Sequence, residues 1–147
     1  MMDQETLVYG VIRTVAGGNR MEDLAMRQAN RNAILALGST DDFPYLTQDM
    51  FHLPTPYPVQ GTYMTPLLQF AASYQAVEYE WQHWVEKFER LLVALYWRSA
   101  TVYLETELSG KHVFSWHSEG DFHVPGSQAM QVNCEWEHEL GFFRPNA

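Results

Sequence analysis

The sequence predicts an α+β fold, in which two main helices pack on one face of a largely antiparallel sheet of about five strands. Residues 1–147 are predicted to form a single domain, because 147 residues with 46% hydrophobic and 14% aromatic side chains can fill one core. Two segments carry apolar residues at helical spacing. The last third alternates apolar with polar residues, as strands of a half-buried sheet do.

The first half of the chain is predicted to contain one strand, one helix and a long loop. Residues 7–15 are rich in β-branched side chains and precede a Gly-Gly-Asn turn, which indicates a strand. Residues 21–37 indicate a helix that ends at Gly38. Residues 39–61 contain four prolines and several aromatic residues, so we expect a long irregular loop pinned to the core by its aromatic side chains.

The helix at 21–37 is predicted to have one apolar and one solvated side. The polar side is expected to carry its arginines, which are Arg20, Arg27 and Arg31. The apolar side is expected to hold Leu24, Ala25, Ala29, Ala33, Ile34 and Leu37.

The second half is predicted to contain a strand, a long helix and a three-stranded meander. Residues 62–73 indicate a strand that Pro66 confines to an edge or a bulge. A continuous stripe of apolar residues from Tyr74 to Tyr96 predicts the strongest helix of the chain. Residues 100–108 and 112–117 are expected to pair through a turn at Gly110, and a loop at 119–126 leads to a last strand at 129–139.

Charge and cysteine content restrict the class of partner. The net charge is −9, which disfavours nucleic acid and anionic membrane surfaces and favours basic proteins or cations. Cys134 is the only cysteine, so no intramolecular disulfide and no cysteine zinc site are expected. The first residues lack a secretory signal pattern and no apolar run reaches about 18 residues, so we expect a cytoplasmic location.

Acidic residues concentrate in the last third of the chain. From Thr101 to Ala147 there are seven Asp or Glu residues and two Lys or Arg residues. Residues two apart on a strand share a face, so these side chains are expected to give the sheet a negative face that binds a basic partner. A plain solvated surface is the alternative. The candidate partner-binding residues are Glu105, Glu107, Glu135, Glu137, Glu139, Glu119 and Asp121.

A cluster of two histidines and two carboxylates is the one candidate for metal or acid–base chemistry. His117, Glu119, Asp121 and His123 lie within seven residues, and such groups can hold a divalent metal in a small hydrolase. Their spacing fits no known metal motif, and a polar turn between strands explains them as well. Cys134 shares its strand parity with Val132 and Trp136, which predicts a buried cysteine. We therefore expect no catalytic residue, no metal and no cofactor.

The region from Gly61 to Trp116 resembles a known group of bacterial proteins. The resemblance rests on residues 70–74 (FAASY), 77–81 (VEYEW), 87–92 (KFERLL), 95–97 (LYW) and 104–107 (LETE). In this succession the chain is similar to small cytoplasmic immunity proteins of antibacterial toxins, including those of type VI secretion systems. The resemblance implies one α+β domain, no catalysis and tight binding to a cognate toxin domain.

These observations lead to one expected function and two alternatives. The expectation is an immunity protein that occludes the active site of a toxin with a basic surface, with acidic residues steering the encounter. Tyr103, Trp116 and Trp136 are candidate anchors, although strand parity places both tryptophans in the core. The alternatives are the metal-dependent hydrolase at the histidine cluster and a self-associating structural subunit, with a homodimer as its simplest form.

Overall fold

The computed structural model describes residues 5–53, 67–107 and 109–127 in full, and residues 130–137 by their backbone. The strands in chain order are β1 (Glu5–Arg13), β2 (Phe51–His52), β3 (Leu67–Gln75), β4 (Ser99–Thr106), β5 (Gly110–Ser118) and β6 (Met130–Glu137). The α-helices are α1 (Arg20–Leu35) and α2 (Trp81–Val93), and short 3-10 helices span Gln48–Met50 and Val77–Glu80.

The strands form one sheet in the order β2-β3-β1-β4-β5-β6, and every neighbouring pair is antiparallel. Five strands are long, and β2 is a two-residue edge strand. Because β1 is antiparallel to both β3 and β4, these two strands are parallel to each other and need a crossover, which α2 supplies. The α+β class, with two helices packed against an antiparallel sheet, is as the sequence predicts.

The core lies between α2 and one face of the sheet. Alternate residues of β1 and β4 are buried on this inner face, including Val8, Ile12 and Val102, which are fully excluded from solvent. Helix α2 faces them with the rings of Trp84 and Phe88, which stack at 5.2 Å. Burial of such aromatic side chains is the main favourable term in folding a domain of this size.

Gly10 makes room for this packing at the centre of β1. A Cβ atom there would lie 2.1 Å from the carbonyl oxygen of Thr101 and 2.9 Å from Cζ of Phe70. The Phe70 ring instead packs against Phe88 of α2 at 5.5 Å. A residue without a side chain is therefore required where the Phe70 ring crosses β1.

Helix α1 is present as predicted, but its buried side differs from the prediction. The buried residues are Asp23, Met26, Asn30 and Ile34, whereas Ala25, expected to be buried, is exposed. Two of these four residues are polar, so apolar periodicity alone misplaces the buried side by part of a turn.

The buried polar residues of α1 have specific partners. Asp23 accepts a hydrogen bond from the backbone N–H of Gly17 and forms an ion pair with Arg27 at 2.7 Å. The prediction that Arg27 lies on the solvated side is therefore wrong, since its side chain is only 11% exposed. Asn19 caps the helix by accepting the N–H of Glu22.

The predicted helix at 74–96 is shorter at its N-terminal end. Tyr74 and Gln75 belong to β3, where they pair with Thr6 and Glu5 of β1. Ala76 then adopts a left-handed conformation with φ of 55°, which breaks the strand before the 3-10 helix and α2. Pairing with β1 overrides the helical periodicity at this end, because the backbone of an inner strand must bond to its neighbours.

The segment from Ser39 to Leu53 is more ordered than the predicted loop. It contains a 3-10 helix and β2, and Phe51 packs on Phe70 at 5.2 Å. Phe43 contacts Tyr74 edge-on at 6.3 Å. The expectation that aromatic residues pin this segment is confirmed for these two, while Pro54 to Gly61 lie outside the described residues.

The meander forms with small shifts of its predicted boundaries. β4 ends at Thr106 and β5 begins at Gly110, which has the positive φ of 83° that a tight turn requires. The loop after β5 is held by a bridge between His123 and Trp97. Neither α1 nor α2, the two α-helices of the described part, has both the length and the apolar content needed to cross a bilayer.

Candidate functional site

The face of the sheet opposite the helices carries a mixed aromatic, apolar and charged surface. Direct pairing across the strands builds it in rows, because opposed residues of antiparallel strands point to the same side. The central row runs from Ala71 through Tyr9 and Tyr103 to Val113. The next row toward one end contains Leu7, Glu105 and Lys111. We call Leu7, Tyr9, Val11, Tyr103, Glu105, Lys111 and Val113 the tyrosine face.

Two stacked tyrosines form the centre of the tyrosine face. The rings of Tyr9 and Tyr103 lie 5.1 Å apart with an interplanar angle of 14°. Both residues are partly exposed, and Leu7 beside them is 39% exposed. Paired aromatic rings on adjacent strands are rigid, since each strand fixes one ring against the other.

Charged groups at one edge fix the orientation of these rings. The hydroxyl of Tyr9 donates a hydrogen bond to the carboxylate of Glu105. The ammonium of Lys111 lies 5.6 Å from the centre of the Tyr103 ring, at cation–π distance. The tyrosine face therefore combines an apolar centre with charges of both signs at its edge, rather than a uniformly negative surface.

A shallow depression of about 380 Å³ adjoins the tyrosine pair on the side of β3. It lies at the edge where the short β2 pairs with β3. Its lining includes Tyr9, Val11, Met50, His52, Gln69, Ala71 and Tyr103. The depression is mainly apolar and suits a side chain of a docked protein more than a polar metabolite.

The predicted acidic residues fall into two groups at opposite ends of the sheet. Glu105 lies near the end of β4, and Glu107 is exposed in the turn that follows. Glu119 and Asp121 are exposed in the loop after β5. Since β4 and β5 are antiparallel and eight to nine residues long, the two groups are about 25 Å apart.

The register of β6 extends the first group. Glu137 pairs with Lys111 and so lies in the row that contains Glu105, whereas Glu135 pairs with Val113 in the neighbouring central row. Glu139 lies outside the described residues. The structure therefore brings Glu105 and Glu107 to the same end of the sheet as Glu135 and Glu137, and it separates Glu119 and Asp121 from them.

The histidine cluster is divided between an exposed strand end and the interior. His117 is exposed at the end of β5, whereas His123 is 2% exposed and stacks on Trp97 at 5.2 Å. Nδ1 of His123 lies 2.8 Å from the carbonyl oxygen of Leu95, and Nε2 lies 2.7 Å from that of Ser127. Both ring nitrogens are thus engaged by the backbone. Within the described ranges, no three His, Cys, Asp or Glu side chains come together in a way that could hold a metal.

Of the two candidate tryptophans, Trp116 belongs to the core, and the structure gives the backbone register of Trp136 and Cys134. Trp116 is fully buried and its Nε1–H donates to Glu89 at 2.7 Å, as the parity of its strand predicts. Cys134 pairs with Phe114 and Trp136 with His112 in the backbone register.

Sequence reasoning missed Tyr9 as a member of the candidate site. Both parities of residues 7–12 are apolar or aromatic, so alternation does not reveal which residues face outward. Lys111 falls between the predicted strands at 100–108 and 112–117, so the sequence pattern gives it no face. The signal that could have identified it is the Glu105 and Lys111 pair of opposite charge flanking a predicted hairpin turn.

No protein family, curated protein or solved structure matches this chain. The candidate site is therefore described from its own geometry.

Proposed function

We propose that this chain is a cytoplasmic immunity protein that binds a secreted antibacterial toxin and covers the active site of that toxin with the tyrosine face. The observation that carries the proposal is the stacked pair of Tyr9 and Tyr103, positioned by Glu105 and Lys111 on the sheet face opposite the helices. Tyrosine is among the residues that contribute most to protein interfaces, particularly when neighbouring groups shield it from water.

The physical character of the tyrosine face favours a protein as its ligand. Leu7 and Tyr103 offer apolar area on this face of the sheet, and the adjoining depression can accept one side chain of the partner. Antiparallel sheets with helices on one side commonly leave the other side available in this way. A rigid surface also loses little conformational entropy when it binds, which raises affinity.

The charge of the chain supports a basic partner. A net charge of −9 creates a long-range field that accelerates association with a positively charged surface. Glu105 and Glu107 lie at one end of the tyrosine face, where they can meet cations at the edge of the interface. In this mechanism the acidic groups steer the encounter, the tyrosines anchor the complex, and substrate is then excluded from the toxin.

The histidine cluster offers less support for a metal-dependent hydrolase. His123 is buried and uses both ring nitrogens on backbone carbonyls, so it has no lone pair directed to a metal. We therefore propose the immunity function and not the hydrolase. Self-association of the chain would be visible on the sizing column described below.

Co-expression tests the proposal. Each protein encoded beside the gene for this chain is induced in a bacterial host, with and without the chain. We expect one of them to stop growth alone and to be tolerated in the presence of the chain. The purified pair should form a stoichiometric complex on a sizing column.

Two variants connect protection to the tyrosine face. Tyr103→Ala should abolish protection, whereas Tyr79→Ala should preserve it, because Tyr79 is 70% exposed in the 3-10 helix before α2. Thermal unfolding of both variants verifies that they fold. Protection by Tyr103→Ala equal to wild type would exclude the tyrosine face, and the absence of any toxic neighbour would argue against the immunity function.

A further inference from the structure

A second surface, at the opposite end of the sheet, gathers positive charge in this acidic chain. Arg13 ends β1, Ser99 begins β4 and His117 lies near the end of β5, and direct pairing places these three residues in one row. Arg98 precedes this row in the chain. Adjacent strands are about 4.8 Å apart, so the Cα atoms of Arg13 and His117 are about 10 Å apart, with a serine between them.

The backbone holds this end of the sheet rigidly. The N–H of Arg98 donates to the carbonyl oxygen of Arg13 at 2.8 Å, and the N–H of Ser118 donates to the carbonyl oxygen of Arg98 at 3.1 Å. Gly120, with φ of 81°, then turns the chain so that Asp121 joins the same surface. The result is a pocket of about 450 Å³ lined by Arg13, Arg98, Ser99, His117, Ser118 and Asp121.

The side chains of Arg13, Arg98 and His117 form no hydrogen bond or ion pair with any described residue. Two other cations are paired internally, Arg27 with Asp23 and Lys87 with Asp41. Arg13 and Arg98 are exposed and line the same pocket, so a bound anion would be attracted by both guanidinium groups. Their placement in one pocket, without partners in the part of the chain that the structure describes, favours a ligand that supplies the negative charge.

We propose that the pocket formed by Arg13, Arg98, Ser99, His117, Ser118 and Asp121 binds a small phosphate monoester. Guanidinium forks match the oxygens of a phosphate with paired hydrogen bonds, and the imidazole and serine hydroxyls can donate to the remaining oxygen. Compared with the three terminal oxygens of a phosphate monoester, a carboxylate has one oxygen fewer and half the charge. It would therefore leave some of these donors without an acceptor.

Asp121 favours an ester that carries a hydroxyl group over inorganic phosphate. A carboxylate in the lining disfavours a bare anion, but it accepts a hydrogen bond from a hydroxyl of the organic part. The volume of about 450 Å³ also exceeds what phosphate alone would fill. This site is about the length of β4 away from the Glu105 end and does not depend on the proposed toxin partner.

The test is a titration of the intact chain, in which binding is monitored through the amide chemical shifts in nuclear magnetic resonance spectra. Inorganic phosphate, glycerol phosphate, acetate and chloride are added separately at constant ionic strength. We expect saturable shifts at Arg98, Ser118 and Gly120 with phosphate at a midpoint of about 1 mM, tighter binding of glycerol phosphate, and no saturation with chloride. Equal binding of acetate would overturn the phosphate assignment.

Charge-matched variants distinguish the pocket from general attraction. R13Q and R98Q should each weaken glycerol phosphate binding about tenfold, whereas R20Q should change it less than about twofold. Arg20 is exposed at the start of α1 and likewise has no partner among the described residues. Equal weakening by R20Q would show a nonspecific charge effect and reject the site.

Asp121→Asn provides a test of opposite sign. It should tighten the binding of inorganic phosphate several-fold, because it removes a repulsive charge, and it should reduce the advantage of glycerol phosphate over phosphate. Because Asp121 is exposed, this variant is expected to fold, and unchanged binding of both probes would overturn the role of the pocket.

Discussion

The side chain of Asn30 closes two hydrogen bonds on the backbone of Tyr96. Its Nδ2 donates to the carbonyl oxygen of Tyr96 at 3.0 Å, and its Oδ1 accepts the N–H of the same residue at 2.8 Å. Tyr96 lies between α2 and β4, so one buried amide joins α1 to the end of the α2 crossover. This contact fixes the position of α1, which has few apolar residues on its buried side.

Asn30→Ala should destabilise the fold strongly for this reason. The variant leaves the N–H and the carbonyl of Tyr96 without partners, and each buried polar group left unpaired costs about 1–3 kcal/mol. We expect a loss of about 2–4 kcal/mol in the free energy of unfolding, measured by urea denaturation. The control is Gln28→Ala, which removes an exposed hydrogen bond to Asn32 and should cost less than about 0.5 kcal/mol. Equal costs for the two variants would show that Asn30 does not join the elements.

Lys87 should anchor the segment that precedes the first 3-10 helix. Its ammonium donates to Asp41 at 2.8 Å and to the carbonyl oxygens of Asp42 and Pro44 at 2.7 and 3.0 Å. Lys87→Met keeps the apolar stem but removes the donor that these three acceptors share, and because the contacts with Asp41 and Asp42 are exposed we expect a loss of about 1 kcal/mol in denaturation experiments. Arg90→Met, one turn further along α2 at an exposed position, should have little effect.

The Lys87 contact also predicts a dependence on acid. Burial by itself would raise the pKa of Asp41, but hydrogen bonds from Lys87 and from the N–H of Leu46 outweigh it and hold the pKa below 3.8. A lowered pKa in the folded state stabilises the fold above pH 3.8, and this contribution is lost as the pH falls. The difference in stability between wild type and Lys87→Met should therefore shrink below about pH 4, and a constant difference would contradict the ion pair.

Tyr74 should make the protein sensitive to alkaline pH. Burial raises the pKa of its hydroxyl from 10.0 to about 12, although the hydrogen bond donated by Trp84 lowers it and nearby Asp41 raises it. The unfolded chain loses this proton near pH 10 and the folded chain near pH 12, so the stability that Tyr74 contributes is complete below pH 10 and falls between these values. Denaturation curves at pH 9 and 11.5 should show this decline.

Tyr74→Phe isolates that effect. The variant removes the hydroxyl, which donates to the carbonyl of Tyr45 and accepts from Nε1 of Trp84 at 3.0 Å. It should be less stable at neutral pH and should lose less stability on going to pH 11.5. Tyr79→Phe, at an exposed position, should keep the alkaline decline of the wild type. An unchanged decline in Tyr74→Phe would assign the effect to another group.

Charge reversal at the end of β4 should slow association with the toxin found by co-expression. Changing Glu105 and Glu107 to lysine is expected to reduce the association rate about tenfold and to weaken its dependence on salt. The same reversal of Glu119 and Asp121 changes the net charge equally but at the opposite end of the sheet, and it should have a smaller effect. Stopped-flow fluorescence at two ionic strengths measures both, and equal effects would mean that net charge alone steers the encounter.

The sequence alone determined the class of fold and most of its elements. Hydrophobic periodicity predicted both helices, the N-terminal strand and the three strands of the meander, and parity correctly predicted that Trp116 is buried. These features depend on local pattern, because a strand or helix that buries one face must repeat its apolar residues at a fixed interval. The negative charge likewise follows from composition.

What each face of the sheet and helices carries depends on contacts between distant parts of the chain. Pairing with β1 made Tyr74 part of a strand although its spacing is helical, and hydrogen bonds to Tyr96 and Gly17 buried Asn30 and Asp23 where apolar residues were expected. Strand order then placed Tyr9 beside Tyr103, 94 positions later in the chain, and separated the acidic residues into two ends. Such contacts join residues far apart in sequence, so they produce no local periodic pattern from which they could be predicted.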